Sequence, residues 1–215
     1  AVRGSAQMVV MSGEAGFGKT RLAEEILFRA RKLGSITARS RSFASHSALV
    51  YAPVAELLRQ DGLSRPLATL DDVWLEEIAR ILPELVETGR VTSRPNPMTE
   101  AWQQQRMLQA LVRAFTVDDH PMLLLIDDLQ WCDQETLQWL QYLLHEAPNA
   151  RLLIVGTVRS EEVDDLHPYT TLQTDLTQVG QFTEIPVKLL GREETFALAR
   201  QVTEKKLSEE QKESI

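Results

Sequence analysis

Residues 13–20 (GEAGFGKT) constrain the fold of this chain more than any other segment. They match the pattern G-x-x-x-x-G-K-[ST] in full, and that pattern is informative only between a β-strand and an α-helix. Both flanks are predicted here. The β-branched pair Val9 and Val10 favours a buried strand over residues 7–12, and apolar residues at three- and four-residue spacing predict a helix over residues 20–33. The sequence therefore predicts a loop that bends around an anion at the start of a helix.

The residue types of this loop suit the binding of nucleotide phosphates. Gly13, Gly16 and Gly18 let the backbone curl so that its N–H groups point inward, and the following helix directs its positive end at the same anion. Lys19 would reach the β- and γ-phosphates, and the Thr20 hydroxyl would be a ligand for Mg²⁺. The full candidate nucleotide-binding set is Gly13, Glu14, Ala15, Gly16, Phe17, Gly18, Lys19, Thr20 and Arg21.

A second candidate element is the apolar run over residues 121–126, which ends in Asp127 and Asp128. Such a run suits a strand that is buried on both faces of a parallel sheet, and a carboxylate at its carboxyl end points into the crevice where ligands bind. We expect Asp127 to hold Mg²⁺, through water, and Asp128 to orient the attacking water or accept its proton. An acidic strand end can also simply cap a turn, but the loop upstream favours the catalytic interpretation.

The next apolar strand, over residues 151–158, is followed by a third set of candidate residues. If this strand lies between the loop strand and the acidic strand, its tip faces the γ-phosphate. Thr157 would then position water, and Arg159 would sense the γ-phosphate through the bidentate geometry that arginine offers. The alternative for Arg159 is a surface arginine after a strand. The candidate catalytic set is Lys19, Asp128, Thr157 and Arg159.

In this order, the motifs resemble those of the signal-transduction ATPases with numerous domains (the STAND class), which are related to the AAA+ ATPases. The likeness is strongest to large bacterial regulators of the MalT-like type and covers nearly the whole chain. It rests on GEAGFGKTRLAEE, on Tyr51-Ala52-Pro53 followed by Leu57-Leu58-Arg59, on LLLIDDLQWCDQETLQWLQYL and on GTVRSEEV. The DDLQWCD run is far more specific than the phosphate loop.

This resemblance implies a three-layer α/β fold with a parallel five-stranded sheet in the order 5-1-4-3-2. It implies that ATP and ADP exchange, with Mg²⁺, on a domain over residues 1–190, and that residues 191–215 begin a helical lid. It also implies ADP in the resting state and self-association after exchange. Asp128 stands where fast AAA+ hydrolases carry glutamate, which implies slow turnover. We expect the effector and output domains to lie outside these residues, in a longer protein.

Composition narrows the possible partners. The net charge of −8 disfavours binding to nucleic acid, because affinity for the phosphate backbone comes from clustered Lys and Arg. The longest apolar run is too short for a membrane span, which needs about 20 residues. The single cysteine, Cys132, suits a reducing compartment and is expected to be a packed thiol. We therefore expect a cytoplasmic protein that binds nucleotide and neither DNA nor a membrane.

Several side chains are assigned ordinary structural roles. Trp102, Leu108, Leu111, Val112 and Phe115 are expected to form one core stripe on a helix over residues 99–115. Trp131 is expected to pack in the core, and Arg39 and Arg41 are expected to be solvated charges at a strand end.

Two other functions of the chain stay open. One is a nucleotide-binding module without turnover, and the other is an AAA+ ATPase that acts on DNA.

Overall fold

The computed structural model describes residues 4–46, 49–92 and 95–203. The strands are β1 Gln7–Gly13, β2 Ile36–Arg41, β3 Met122–Asp127, β4 Leu152–Arg159 and β5 Phe182–Pro186. The helices of these ranges are α1 Lys19–Lys32, α2 Ala52–Leu58, α3 Asp61–Thr69, α4 Asp72–Ile78, α5 Glu84–Glu87, α6 Ala101–Thr116, α7 Gln134–Glu146, α8 Pro168–Gln178 and α9 Arg192–Thr203. None of the helices that it describes is long and apolar enough to cross a membrane.

The five strands form one parallel sheet in the order β2-β3-β4-β1-β5, which confirms the predicted order. The register aligns the carboxyl ends of four neighbouring strands. Gly13 at the end of β1 pairs with Arg159 at the end of β4, and Arg41 at the end of β2 pairs with Asp127 at the end of β3. The residues that follow or end these strands therefore meet at one edge of the sheet, where ligands of open α/β sheets bind.

Alternate residues of β3 face two different apolar layers, as expected for a strand with helices on both sides. Leu124 and Ile126 belong to the main core, whose other members come mostly from α2, α3, α4, α6, α7 and α8. Leu123 and Leu125 belong to a smaller cluster that includes Ala23 of α1. Helix α1 therefore packs on the face of the sheet opposite to the main core. Its first turn directly follows the phosphate loop.

The helix over residues 99–115 is confirmed as α6, but the expected core stripe is wrong at Trp102. The buried residues of α6 are Met107, Ala110, Leu111, Ala114 and Phe115, whereas Trp102 is 58% exposed. A helix turns by about 100° per residue, so the nine positions between Trp102 and Leu111 place them on opposite sides. Trp102 therefore lies on the solvent side of the helix.

Two elements differ from the sequence-based expectations. Helix α3 has no counterpart among the predicted helices, and its interior contains a proline, which normally disfavours that position; here Pro66 and Leu63 are its buried residues. The alternation of residues 181–190 predicts a final strand, but the strand that forms is shorter and ends at Pro186. The adjoining Val187 still donates its N–H to the Ser12 carbonyl at 2.7 Å, so the chain stays against the phosphate-loop strand beyond the end of β5.

Candidate functional site

The loop between β1 and α1 requires glycine at its start. Gly13 has φ = 147°, and a Cβ there would lie 2.5 Å from the carbonyl oxygen of Val187. Any side chain at this position would therefore clash with the backbone that follows β5. At the other end of the loop, Gly18 is the N-cap of α1 with φ = 83°, a conformation that glycine adopts without steric cost.

Lys19 is folded back onto its own loop. Its Nζ donates to the carbonyl oxygens of Gly13 and Glu14, both at 2.7 Å, and the residue is buried. Burial lowers the pKa of Lys19 from its ordinary value, and the negative charge of Glu161 opposes that shift. The ammonium group therefore lies inside the loop with acceptors that an incoming phosphate could replace.

Asp127 is the centre of a hydroxyl–carboxylate cluster. Its Oδ1 accepts hydrogen bonds from the hydroxyls of Thr20 at 2.9 Å and Thr157 at 2.6 Å. Its Oδ2 is buried and has no hydrogen-bond donor among the described residues, although Arg41 Nε lies 3.8 Å away. A buried carboxylate oxygen without a donor, beside a threonine hydroxyl, fits the oxygen ligands that Mg²⁺ prefers.

Asp128 is held in an unusual conformation with both carboxylate oxygens occupied. Its φ is 62°, one of two positive values among the described non-glycine residues, and its N–H donates to the Thr157 hydroxyl at 2.9 Å. Its Oδ1 accepts from Gln130 at 3.1 Å, and its Oδ2 accepts from Arg41 Nε and Nη2 at 3.2 and 3.1 Å. The structure thus brings Asp128 and Thr157 together, with Thr157 linking both acids.

Arg41 is a site residue that the sequence analysis missed. The expectation of a solvated charge at a strand end is incomplete: the side chain is 42% exposed, but its guanidinium also forms a two-pronged contact with Asp128 and lies beside Asp127. The signal was present in the predicted strand order. In that order β2 is the neighbour of β3, so the last residue of β2 must lie next to the first acid. Arg39 is also paired, with Glu24 at 2.6 Å.

Arg159 lies at the same edge of the sheet, and its guanidinium contacts three side chains there. Its guanidinium stacks over the Trp131 ring at 4.5 Å, donates to Glu162 at 2.8 Å and lies 3.5 Å from Asp128 Oδ1. Trp131 is only half-buried, so the expectation that it packs in the core is wrong. Its indole instead orients Arg159 beside the acid pair.

The remaining residues of the candidate loop set lie toward solvent. Glu14, Ala15, Gly16 and Gly18 are exposed, and Phe17 is half-buried. Arg21 is exposed on α1, and its Nη1 is 4.0 Å from Glu24, so it lies outside the loop contacts. A second residue that sequence analysis missed is Glu161, whose Oε1 accepts the N–H of Ala15 at 2.8 Å.

Cys132 lies behind the acid pair as a packed thiol, as expected. It is buried, and its Sγ is 3.0 Å from Ser42 Oγ. Burial raises the pKa of this thiol to about 12. A thiol with so high a pKa stays protonated at neutral pH, and the thiolate is the nucleophilic form. Cys132 therefore contributes packing to this site rather than covalent chemistry.

Comparison with known proteins identifies the class. Residues 1–155 match the family model described as "AAA ATPase domain". The match includes the phosphate loop and the acidic strand and extends through the first half of β4. Because it spans well over half of the chain, this chain belongs to the AAA ATPase domain family. Nucleotide is therefore the ligand class that the loop implies, and the family as a whole is one of ATPases. A search of curated protein sequences found no significant match.

Several solved structures are similar to this chain. Cdc6p from Pyrobaculum aerophilum is 15% identical with a TM-score of 0.50, over 92% of this chain and 44% of that one. A STAND protein with a tetratricopeptide-repeat sensor, from Pyrococcus horikoshii, is 18% identical with a TM-score of 0.47, over 99% and 26%. AMPPCP-bound DnaA from Aquifex aeolicus is 14% identical with a TM-score of 0.46, over 98% and 49%. The chain thus spans less than half of each of these proteins.

Proposed function

We propose that this chain is the nucleotide-binding switch domain of a multidomain regulator of the STAND type. It would bind ATP and ADP with Mg²⁺ at residues 13–20 and hydrolyse ATP slowly, and exchange of the nucleotide would control self-association in signal transduction or transcription regulation. The single observation that carries the proposal is the 2.9 Å hydrogen bond between Thr20 and Asp127, which joins the phosphate loop to the acidic strand. These two residues lie 107 positions apart in the chain.

The binding step follows from the loop. Backbone N–H groups of the glycine-rich loop and the start of α1 would hold the phosphates. Lys19 would exchange the carbonyl oxygens of Gly13 and Glu14 for phosphate oxygens and place a positive charge between them. Thr20 and Asp127 would be the residues that hold Mg²⁺, which offsets the charge of the phosphates when bound. The lid expected over residues 191–215 would begin at α9, and residues 204–215 lie outside the described ranges.

The hydrolytic step would depend on Asp128, Thr157 and Arg159. Asp128 would orient water toward the γ-phosphate, and Thr157, bonded to both acids, would fix the position of the Asp128 backbone. Arg159 would swing from Glu162 to the γ-phosphate and stabilise the charge there. Both oxygens of Asp128 already accept hydrogen bonds, from Gln130 and Arg41. Orienting water therefore requires Asp128 to give up a bond, which supports slow turnover.

The test is calorimetric titration of the chain with Mg-ATP and Mg-ADP. Lys19→Ala should weaken both by about ten- to a hundredfold, because it removes charge-assisted hydrogen bonds to phosphate. Lys32→Ala is the matched control, since this lysine lies on the same helix and its ammonium stacks 4.3 Å from the Phe28 ring instead. Absence of binding by the unaltered chain, or equal affinity for the two variants, would contradict the proposal.

A nucleotide-binding module without turnover is the second candidate, and the paired state of Asp128 favours it. Phosphate release by the intact chain is compared with that of Asp128→Asn, which keeps the size of the side chain. A switch with hydrolytic reset predicts release above background that falls by at least about tenfold in the variant. Equal, background release from both proteins would support the module.

A further inference from the structure

The phosphate loop of this chain already holds a carboxylate from elsewhere in the chain. The N–H of Ala15 donates to Glu161 Oε1 at 2.8 Å, across 146 positions of sequence. Glu161 belongs to the short 3-10 turn Ser160–Glu162, which follows β4 directly. Backbone N–H groups of such a loop are the donors that nucleotide phosphates use. Glu161 therefore occupies a donor that a phosphate oxygen would otherwise take.

The charge of Glu161 acts on the same group that would receive the phosphates. Among charged side chains, Glu161 has the largest effect on the pKa of Lys19, greater than that of Arg159, Asp128 or Asp127. The pKa of Glu161 itself is lowered, because its own N–H and that of Ala15 donate to the carboxylate. The side chain is thus an anion at neutral pH, near both the N–H and the ammonium group that bind phosphate.

The side from which Glu161 approaches the loop indicates which nucleotide phosphate it would lie near. Glu161 reaches the loop from the end of β4, the strand whose Thr157 bonds Asp127 at 2.6 Å. Arg159 at the end of the same strand pairs in register with Gly13, the first residue of the loop. Lys19 serves the β- and γ-phosphates, and water must attack the γ-phosphate from the side of the acids. The carboxylate therefore lies toward the γ-phosphate end of the cradle.

We propose that Glu161 sets the relative affinity of this site for ATP and ADP. The terminal phosphate of ATP must displace the carboxylate from Ala15 and meets its negative charge. ADP ends one phosphate earlier and leaves the contact in place. Glu161 thus weakens ATP binding more than ADP binding and favours the ADP-bound state. The inference rests on the proposed function, because it requires nucleotide in this loop.

Displacement of Glu161 also changes the surroundings of Arg159. The next residue, Glu162, is the acceptor that Arg159 contacts at 2.8 Å. Both glutamates lie on one three-residue turn, so a movement of this turn that draws Glu161 away from the loop also moves Glu162. Entry of a γ-phosphate would therefore loosen the hold of Glu162 on Arg159 at the moment when Arg159 acquires a new anion to bind.

The test measures the ratio of ATP to ADP affinity in Glu161→Gln, which removes the charge, and Glu161→Ala, which removes the contact as well. Asp165→Asn is the control, because it removes one negative charge from the same connection four residues later. Calorimetry should show ATP binding tightened by about two- to fivefold in both Glu161 variants, the range of an exposed charge contact. ADP affinity should change by less than about 1.5-fold, which is within the spread of exposed contacts.

The results separate this inference from the proposed function. Binding of both nucleotides by the unaltered chain, with an unchanged ATP-to-ADP ratio in the Glu161 variants, would overturn the role of Glu161 alone. An equal shift in Asp165→Asn would also overturn it, because it would reduce the effect to net charge. Absence of nucleotide binding by the unaltered chain would overturn both. Glu161 is exposed, so its substitution should leave the thermal unfolding midpoint unchanged.

Discussion

The two acids at the end of β3 need a nearby cation, and Arg41 supplies it. Asp127 is fully buried and Asp128 nearly so, and two adjacent carboxylates in a low-dielectric setting repel each other strongly. Arg41 donates twice to Asp128 and lies 3.8 Å from Asp127. Its guanidinium is partly exposed, so solvent screens part of the interaction. The acid pair is therefore an arrangement that β2 helps to stabilise.

Arg41→Ala should lower the free energy of unfolding by about 1–2 kcal/mol, the value of hydrogen bonds to a charged group reduced for solvent screening. Urea denaturation measures this change. Arg59→Ala is the control, because Arg59 contacts Glu84 at 2.6 Å with both partners well exposed, and its loss should cost less than about 1 kcal/mol. Adding Asp128→Asn to Arg41→Ala should recover part of the stability. Equal losses in the two single variants would contradict this account.

At the carboxyl edge of the sheet, some site residues were predictable from local sequence patterns and others were not. Lys19 and Thr20 were predictable because one motif fixes their spacing, and Asp127 was predictable because it ends a continuous apolar run; the structure brings Thr20 and Asp127 together. Arg41 and Glu161 could not be placed by a local motif, since their contacts depend on which strand tip lies beside which loop. A single arginine or glutamate after a strand carries no local pattern. Such contacts become visible only when strand order and register are known.

The residue that caps helix α7 also contacts the start of helix α2. Asp133 is the N-cap and accepts from the N–H and the hydroxyl of Thr136, at 2.9 and 2.7 Å. The same side chain accepts the N–H of Tyr51 at 3.0 Å. Tyr51 begins α2 with φ = 59°, an unusual value for a non-glycine residue. Asp133 therefore joins the starts of α2 and α7, behind the acid pair.

Asp133→Ala should cost about 2–4 kcal/mol of unfolding free energy, because it removes a helix cap and leaves a buried N–H of Tyr51 without its acceptor. Asp71→Ala is the matched control: Asp71 is the N-cap of α4 and makes no side-chain capping bond within the described residues. Its loss should cost less than about 1 kcal/mol. Thermal and urea unfolding of both variants measure these losses of unfolding free energy. Comparable losses would mean that the Tyr51 contact contributes little.

Most helices and strands were predictable from the spacing of apolar residues and from the residues that cap or break helices. Helix α7 and strand β3 have strong local signals, an N-cap aspartate and a continuous apolar run. Helix α3 has the opposite signal in Pro66, and burial of Leu63 and Pro66 against the core outweighs it. The side of α6 on which Trp102 lies was missed because the residue is aromatic and near an apolar stripe. Hydrophobicity alone does not give the angle around a helix.

For the whole molecule, the strand order was predictable only through resemblance to a family. Alternating strands and helices indicate a parallel sheet, but many orders satisfy that pattern. The motifs alone left the order open, because a third strand between the loop strand and the acidic strand is only one of the arrangements that satisfy them. The observed order β2-β3-β4-β1-β5 has β4 in that place. This placement puts Thr157, Arg159 and Glu161 beside the phosphate loop.

Whole-molecule charge argues against a role on DNA. The chain carries a net charge of −8, and the arginines nearest the site, Arg41 and Arg159, already contact carboxylates. Binding to a duplex requires several Lys or Arg side chains that neutralise phosphates and release counterions. The similar fold of Cdc6p does not change this argument, since at 15% identity it shares only an architecture with this chain.

We therefore expect no binding of this chain to duplex DNA at physiological salt, with or without Mg-ATP, when fluorescence anisotropy of a labelled duplex is followed. At physiological salt, any residual binding should be weaker than about 10⁻⁴ M, the weak end of non-specific affinity. Nucleotide binding by the same sample, measured by calorimetry, is the control that the protein is folded. A DNA affinity that is tight and falls steeply with added salt would reveal a basic stripe that net charge conceals, and it would favour an ATPase that acts on DNA over the proposed switch.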